Sequence, residues 1–165
     1  MLEIIPDSDP RLHTPVAMYD FSSQSEEERE ELVRNLTEVL NRLDAVGIAA
    51  NQCGIMHRVF LIRDEFNVPY ACFNPTTEPF GQMEVSTVQE GCLSFPDLWL
   101  KISRPAIIEA SWQDMSGETK RRVLSGFEAT AFQHELDHLN GIVFTSRVSK
   151  LALDIAKKKR AKGKR

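Results

Sequence analysis

Long apolar runs are missing from this chain. None approaches the roughly 20 consecutive apolar residues that a membrane-spanning helix needs, so no membrane partner is expected. Cysteine is scarce. Cys53, Cys72 and Cys92 are odd in number and form no CxxC pair, which argues against a disulfide framework. No internal repeat and no Pro/Gly/Ser-rich linker divides the 165 residues, a length that suits one domain. The opening MLEIIPDSDPRL has acids where a signal peptide carries bases ahead of an apolar core, so an intracellular protein is expected. With 42% hydrophobic and 27% charged residues, the composition excludes a wholly disordered chain and a collagen.

Charge is distributed unevenly. The net charge is -4, but the last nine residues, KKKRAKGKR, hold seven of the 20 Lys and Arg; the remainder carries 13 bases against 24 acids. An acidic body with a basic tail suggests either a tail that meets a polyanion or a merely solvated end.

Hydrophobic periodicity outlines the fold. Pro6, Pro10 and Pro15 break the first 24 residues into extended chain and turns. Ser25 followed by Glu26, Glu27 and Glu28 predicts a helix start. Leu32, Val33, Leu36, Val39, Leu40 and Leu43 then recur at helical spacing up to about Asp44. Strand-like runs follow at 58–63, 69–73, 83–88, 106–112 and 121–124, separated by turn-rich pieces such as NPTTEPFGQ and DMSGE. A helical pattern returns from Phe127 to Leu139 and stops at Asn140-Gly141, and a last helix is expected from Ser149 into the basic tail. Helix, several strands, then helix indicates α+β rather than alternating βαβ.

The clearest chemical signal is Gln133-His134-Glu135-Leu136-Asp137-His138, an HExxH pattern in a helical stretch. Two imidazoles four residues apart project from one helix face and can grip one metal ion. Glu135 is then placed to take a proton from a water on that metal. Asp137 should point away and hold a nearby base or ring nitrogen. The ordinary alternative is a helix with two surface histidines. A third ligand is needed, and Cys92, in Glu90-Gly91-Cys92-Leu93-Ser94, suits a tetrahedral site with water as the fourth ligand; a lone Cys is otherwise a small buried apolar residue. A third segment, Gly47-Ile48-Ala49-Ala50-Asn51-Gln52, offers small residues for close backbone approach and an amide that can donate to a carbonyl oxygen. By itself it could be a tight turn.

Together these segments resemble one family, the peptide deformylases, whose motifs are GxGxAAxQ, EGCLS and QHExDH in that order. This chain has AVGIAANQ at 45–52, EGCLS at 90–94 and QHELDH at 133–138. The last two match completely; the first has Ala45 where the family has its first Gly. The resemblance covers roughly residues 1–150 and implies one catalytic domain over 1–150 with a basic helical tail over 151–165. It implies antiparallel or mixed sheets packed around a central helix carrying HExxH, with an N-terminal and a C-terminal helix. The implied metal ligands are Cys92, His134 and His138. The implied metal is Fe(2+), with Zn, Ni or Co able to replace it.

The implied reaction is hydrolysis of the formyl group from the formyl-methionine of nascent peptides, releasing formate. Glu135 would be the acid–base, and the Gln52 amide and Leu93 N–H the donors to the developing oxyanion. The peptide would add as a strand beside Val46, Gly47 and Ile48, near Glu90 and Gly91. The methionine side chain would enter a pocket formed by Val88, Phe127, Thr130 and the face of His134, although Val88 and Phe127 could equally be ordinary core. Ala45 bears on the pocket rim. The basic tail is a candidate contact for ribosomal RNA, the protein is expected to be a monomer, and bacterial cytoplasm is the expected compartment, with organellar and viral sources left open.

Three other readings compete. A zinc peptidase would need a third ligand downstream of the helix, where no His follows His138 and Asp154 is the only acid. A decayed binding protein would lack a ligand or the glutamate, and both are present. An RNA-binding module fits poorly with the acidic body.

Overall fold

The structure is a computed structural model and describes residues 2–81 and 84–163. The first helix, α1 (Glu26–Arg42), starts where the acids predict. Ser25 Oγ accepts from the Glu28 N–H at 3.2 Å and the Glu28 carboxylate accepts from the Ser25 N–H at 2.8 Å. A reciprocal cap of this kind is worth about 1 kcal/mol. Leu32, Leu36, Val39 and Leu40 form the buried face, against Ile48, Val59, Leu61 and Phe73.

The strands then follow in order: β1 (Gly47–Ala49), β2 (Val59–Arg63), β3 (Pro69–Pro79), β4 (Val85–Cys92), β5 (Phe95–Pro105), β6 (Ile107–Gln113) and β7 (Thr119–Ser125). After them come α2 (Gly126–Leu139) and α3 (Lys150–Gly163). One sheet has the order β1-β2-β3-β6-β7, and β4 and β5 form a separate two-stranded sheet. Every pairing between these strands is antiparallel. The architecture is therefore α+β, with antiparallel sheets and, among the described residues, three α-helices. No described helix is long and apolar enough to cross a membrane.

Two expectations about strands need correction. The stretch expected as a turn, NPTTEPFGQ, continues β3 through Pro79, with Thr76, Thr77 and Glu78 opposite Ser111, Ala110 and Glu109. Pro75 is tolerated because the register shifts between Phe73 and Thr76, where a missing N–H breaks no ladder bond. β5 has no counterpart among the expected strands, yet Leu98, Leu100, Ile102 and Arg104 alternate inward along it. Pro96 and Asp97, the latter at φ +61, break the pattern at its start. The run expected from Met83 corresponds to β4, and Met83 itself lies outside the described residues.

α2 packs on β1, β2, β3, β6 and β7. Phe132, fully buried, meets the Phe60 ring edge-on at 5.0 Å and lies 6.1 Å from Trp112. In α3, Leu153 and Ala156 pack against the cluster that holds Phe95, Leu98, Leu100 and Phe144, whereas Leu151 and Ile155 are exposed. Replacing Phe132 by Ala removes both ring contacts and leaves a cavity beneath α2. The expected loss of stability is about 3–5 kcal/mol, to be measured by urea denaturation.

Candidate active site

Two elements distant in sequence build the site. β4 delivers Cys92 as its last residue, at the hairpin into β5. α2 delivers His134 and His138, one turn apart on the same face, with ring centroids 5.1 Å apart. One donor atom from each of the three side chains lies within 4.8 Å of the others, a spacing compatible with one shared ion. Cys92 Sγ is 3.2 Å from His138 Nε2.

The surroundings prepare these donors. His134 Nδ1 is 2.8 Å from Glu90 Oε2. Burial alone would raise the Glu90 carboxyl, but hydrogen bonds from His134 and Arg104 hold it down to about 2. As an ionised carboxylate only accepts, Nδ1 carries a proton, which leaves Nε2 as the nitrogen able to face a metal. Burial also opposes charge on the His134 ring, yet its contacts with Cys92 and Glu90 push its pKa up to about 10. Nε2 of this ring is the position at which a cation would replace a proton. Burial holds His138 well below the usual histidine range, helped by the charges of His134 and Arg104; it is neutral, the form that ligates metal.

Arg104 ties the elements together. Its Nε and Nη2 donate to both Glu90 oxygens at 2.7 and 3.0 Å, and Nη1 donates to Asp137 Oδ2 at 2.8 Å. Arg147 donates to the same Asp137 carboxylate. Asp137 thus holds two bases. Glu90, expected near substrate, borders the cleft over the site, and its carboxylate is engaged by Arg104 and His134. Nothing in the motifs singled out Arg104. The available signal was a charge at an inward position of β5.

Glu135 is buried, and its Oε2 has no hydrogen-bond partner among the described residues. Burial raises its pKa to about 7, against the lowering effect of His134, so this carboxyl can exchange a proton near neutrality. Gly47 makes room for it: a Cβ there would stand 2.6 Å from Glu135 Oε1. Gln52 is aimed by its own backbone neighbour. Its Oε1 accepts from the Ala49 N–H at 2.9 Å, leaving Nε2 3.5 Å from Cys92 Sγ and 3.4 Å from Ser94 Oγ.

A cleft of about 1120 Å³ opens over these groups. Val46, Gly47, Gly91 and Leu93 border it, as do Val88, Phe127 and Thr130. Ile48 does not. In a strand adjacent side chains face opposite ways, and that of Ile48 is fully buried beneath α1 while Val46 is 46% exposed. Trp99, not among the expected residues, lies against Gly91 on the lip of the cleft. At Ala45 no left-handed backbone requires glycine; Asp44 takes that conformation, at φ +47.

A cysteine and two imidazoles beside a buried carboxyl, on an α+β frame with an open cleft, place the molecule among the metal-dependent hydrolases. The sequence profile of the family described as polypeptide deformylase matches residues 1–154. The chain belongs to the polypeptide deformylase family.

A protein named peptide deformylase from Novosphingobium aromaticivorans is 36% identical over 182 aligned residues, covering 95% of this chain and 94% of that protein. A peptide deformylase from Synechococcus elongatus, solved in complex with actinonin, superposes with a TM-score of 0.86 at 33% identity, covering 97% of this chain and 86% of that one. A probable peptide deformylase from Synechococcus phage S-SSM7 gives 0.81 at 31% identity, covering 90% of this chain and all (100%) of that one.

If Glu90 orients His134, Glu90→Gln keeps the shape but removes the anionic acceptor. Metal affinity, measured by competition with a chelator, is expected to fall about tenfold or more with the fold retained.

Proposed function

We propose that this enzyme hydrolyses the N-terminal formyl group of formyl-methionyl nascent polypeptides, releasing formate. The observation that carries this reading is the convergence of Cys92, His134 and His138 beside the buried, unpartnered carboxyl oxygen of Glu135. Cys92 Sγ and the two imidazoles would hold one divalent ion. When bound, that ion supplies Lewis acidity to the formyl carbonyl and to the attacking water. The soft thiolate with two imidazoles suits iron, zinc, nickel or cobalt. Fe(2+) is our assignment, on the resemblance to the deformylase family; a thiolate ligand donates charge and would leave such an iron centre prone to oxidation.

The protein's own groups carry the proton and the charge. Glu135 takes a proton from the water whose oxygen adds to the formyl carbon. As the C–N bond breaks, the same carboxyl gives the proton to the departing nitrogen, leaving formate and a free amine. Gln52 Nε2 and the Leu93 N–H donate to the carbonyl oxygen while it is negative, and a donor placed in advance is worth about 2.7–4 kcal/mol. The peptide backbone pairs with the edge at Val46, Gly47 and Ile48, a mode that gives affinity without reading side chains. The methionine side chain packs on Val88, Phe127, Thr130 and the His134 ring. A formyl carbon is unhindered, which fits a narrow reaction centre.

Residues 1–150 form the catalytic domain in this reading, with α2 as the central helix around which the sheets pack, and 151–165 form the basic tail. The tail docks the enzyme on ribosomal RNA near the emerging substrate, and the enzyme works as a monomer in bacterial cytoplasm. The exposed bases of α3, beyond its Leu153 and Ala156 contacts, support the docking role.

The deciding experiment is formate release from formyl-Met-Ala by anaerobically purified protein, alongside metal analysis; no formate from a metal-loaded sample would reject the activity. Glu135→Ala is expected to retain metal and lose about 10²–10⁴-fold in turnover. Deleting Lys157–Arg165 should leave hydrolysis of short formyl peptides unchanged and reduce co-sedimentation with ribosomes at low salt, a binding that weakens steeply as salt rises. Equal sedimentation of both forms would remove the docking role.

A further inference from the structure

The edge proposed to receive the peptide is held from behind by one guanidinium. β1 is only three residues long and is the outer strand of its sheet, so its placement depends on the chain that leads into it. α1 stops at Arg42, Asp44 adopts φ +47, and the Ala45 N–H closes back on the Leu40 carbonyl at 3.0 Å. Asp is one of the few side chains that tolerate this left-handed position, where glycine is usual. The next two carbonyls are both taken by Arg63. Its Nε donates to Ala45 O at 3.0 Å and its backbone N–H to Val46 O at 2.9 Å.

The rest of the guanidinium reaches two further elements. Nη1 donates to Asn67 O at 2.9 Å in the turn between β2 and β3, and Nη2 donates to Asn41 Oδ1 at 2.6 Å in the last turn of α1. All these acceptors are neutral. A planar fork of fixed donors is thus used for geometry, and its acceptors include neither the Cys92–His134–His138 cluster nor Glu135.

We infer that Arg63 is a positioning residue for substrate binding: it sets residues 45 and 46 in place, so that the edge bordering the cleft at Val46 and Gly47 is ready to pair before a peptide arrives. The inference rests on the deformylase reading and deepens it. Binding gains from such preorganisation because less chain must be ordered on association. The role also accounts for the tolerance of Ala45. The backbone at this bend is fixed by hydrogen bonds to Arg63 and needs no glycine.

The test uses the full-length, metal-loaded enzyme with Arg63→Met, which keeps the apolar stem, and Arg63→Lys, which keeps the charge but loses the fork. Formate release is followed with formyl-Met-Ala and with a formyl-Met tripeptide, together with metal content and amide hydrogen exchange at residues 45–48. The expected result is a KM raised roughly three- to tenfold, more for the tripeptide, whose extra residue adds backbone bonds. kcat should stay within about twofold, metal content should not change, and exchange at 45–48 should accelerate. Arg63→Lys should recover part of the loss at most.

Unchanged KM on both peptides overturns the proposal. So does a parallel fall of kcat and metal content, which would mark a general structural role, and so does full recovery by Arg63→Lys. If Arg63→Met does not fold, Arg63→Lys carries the same expectation. A wild-type enzyme that releases no formate fails the deformylase reading instead, and the exchange measurement still decides whether Arg63 fixes the edge.

Discussion

Arg104 brings a full positive charge into the interior, where it is 5% exposed between two carboxylates. Much of the site's organisation follows from that constraint. Desolvating a guanidinium costs several kcal/mol, and the attraction of its partners offsets this only when the geometry is good and the remaining donors are satisfied. Here three guanidinium nitrogens are engaged, two by Glu90 and one by Asp137. The first partner comes from β4 and the second from α2, so the ion set fastens the hairpin that carries Cys92 to the helix that carries His134 and His138. Removing one member would leave buried charge uncompensated, an effect of about 3–5 kcal/mol in comparable cases. The same charges orient the His134 ring, because Glu90 Oε2 is also bonded to His134.

A different balance applies to Glu135. It sits in the same helix one residue after His134, but its Oε2 has no hydrogen-bond partner among the described residues, and burial raises its pKa more than its neighbours lower it. β1 approaches Glu135 closely, and the approach is possible because residue 47 has no side chain. The two carboxylates near the proposed metal site therefore differ by environment. Glu90, fully bonded, stays ionised, whereas Glu135, on which burial outweighs the charges of His134 and Arg104, can exchange a proton near neutral pH.

Much of this was legible in the chain. Ser25 with Glu28, and apolar residues at helical spacing, define α1 through local hydrogen bonds and one buried stripe. His134 and His138 at a separation of four share a helix face whatever the helix packs against. The expected hold of Asp137 on a base was of the same kind, since a residue next to a ligand in sequence must leave the face that the ligand uses. β3 and β5 were read incompletely because Pro75, Pro79 and Pro96 look like turn residues, whereas a register shift and the strand ends accommodate them. Val46 and Ile48 were grouped together, although strand alternation puts one side chain at the cleft and the other in the core.

By itself, then, the sequence determined the helices, the spacing of His134 and His138 on α2 and the presence of a thiol in the EGCLS segment, all of which depend on residues close together in the chain. Only the tertiary structure decided that Cys92 meets the histidines, that Arg104 joins Glu90 to Asp137, that Glu135 lies against Gly47 and that Arg63 holds the turn into β1. Those partners are 14 to 88 residues apart. Their meeting depends on how the two sheets and α2 bury their apolar faces together, and no local spacing rule encodes that.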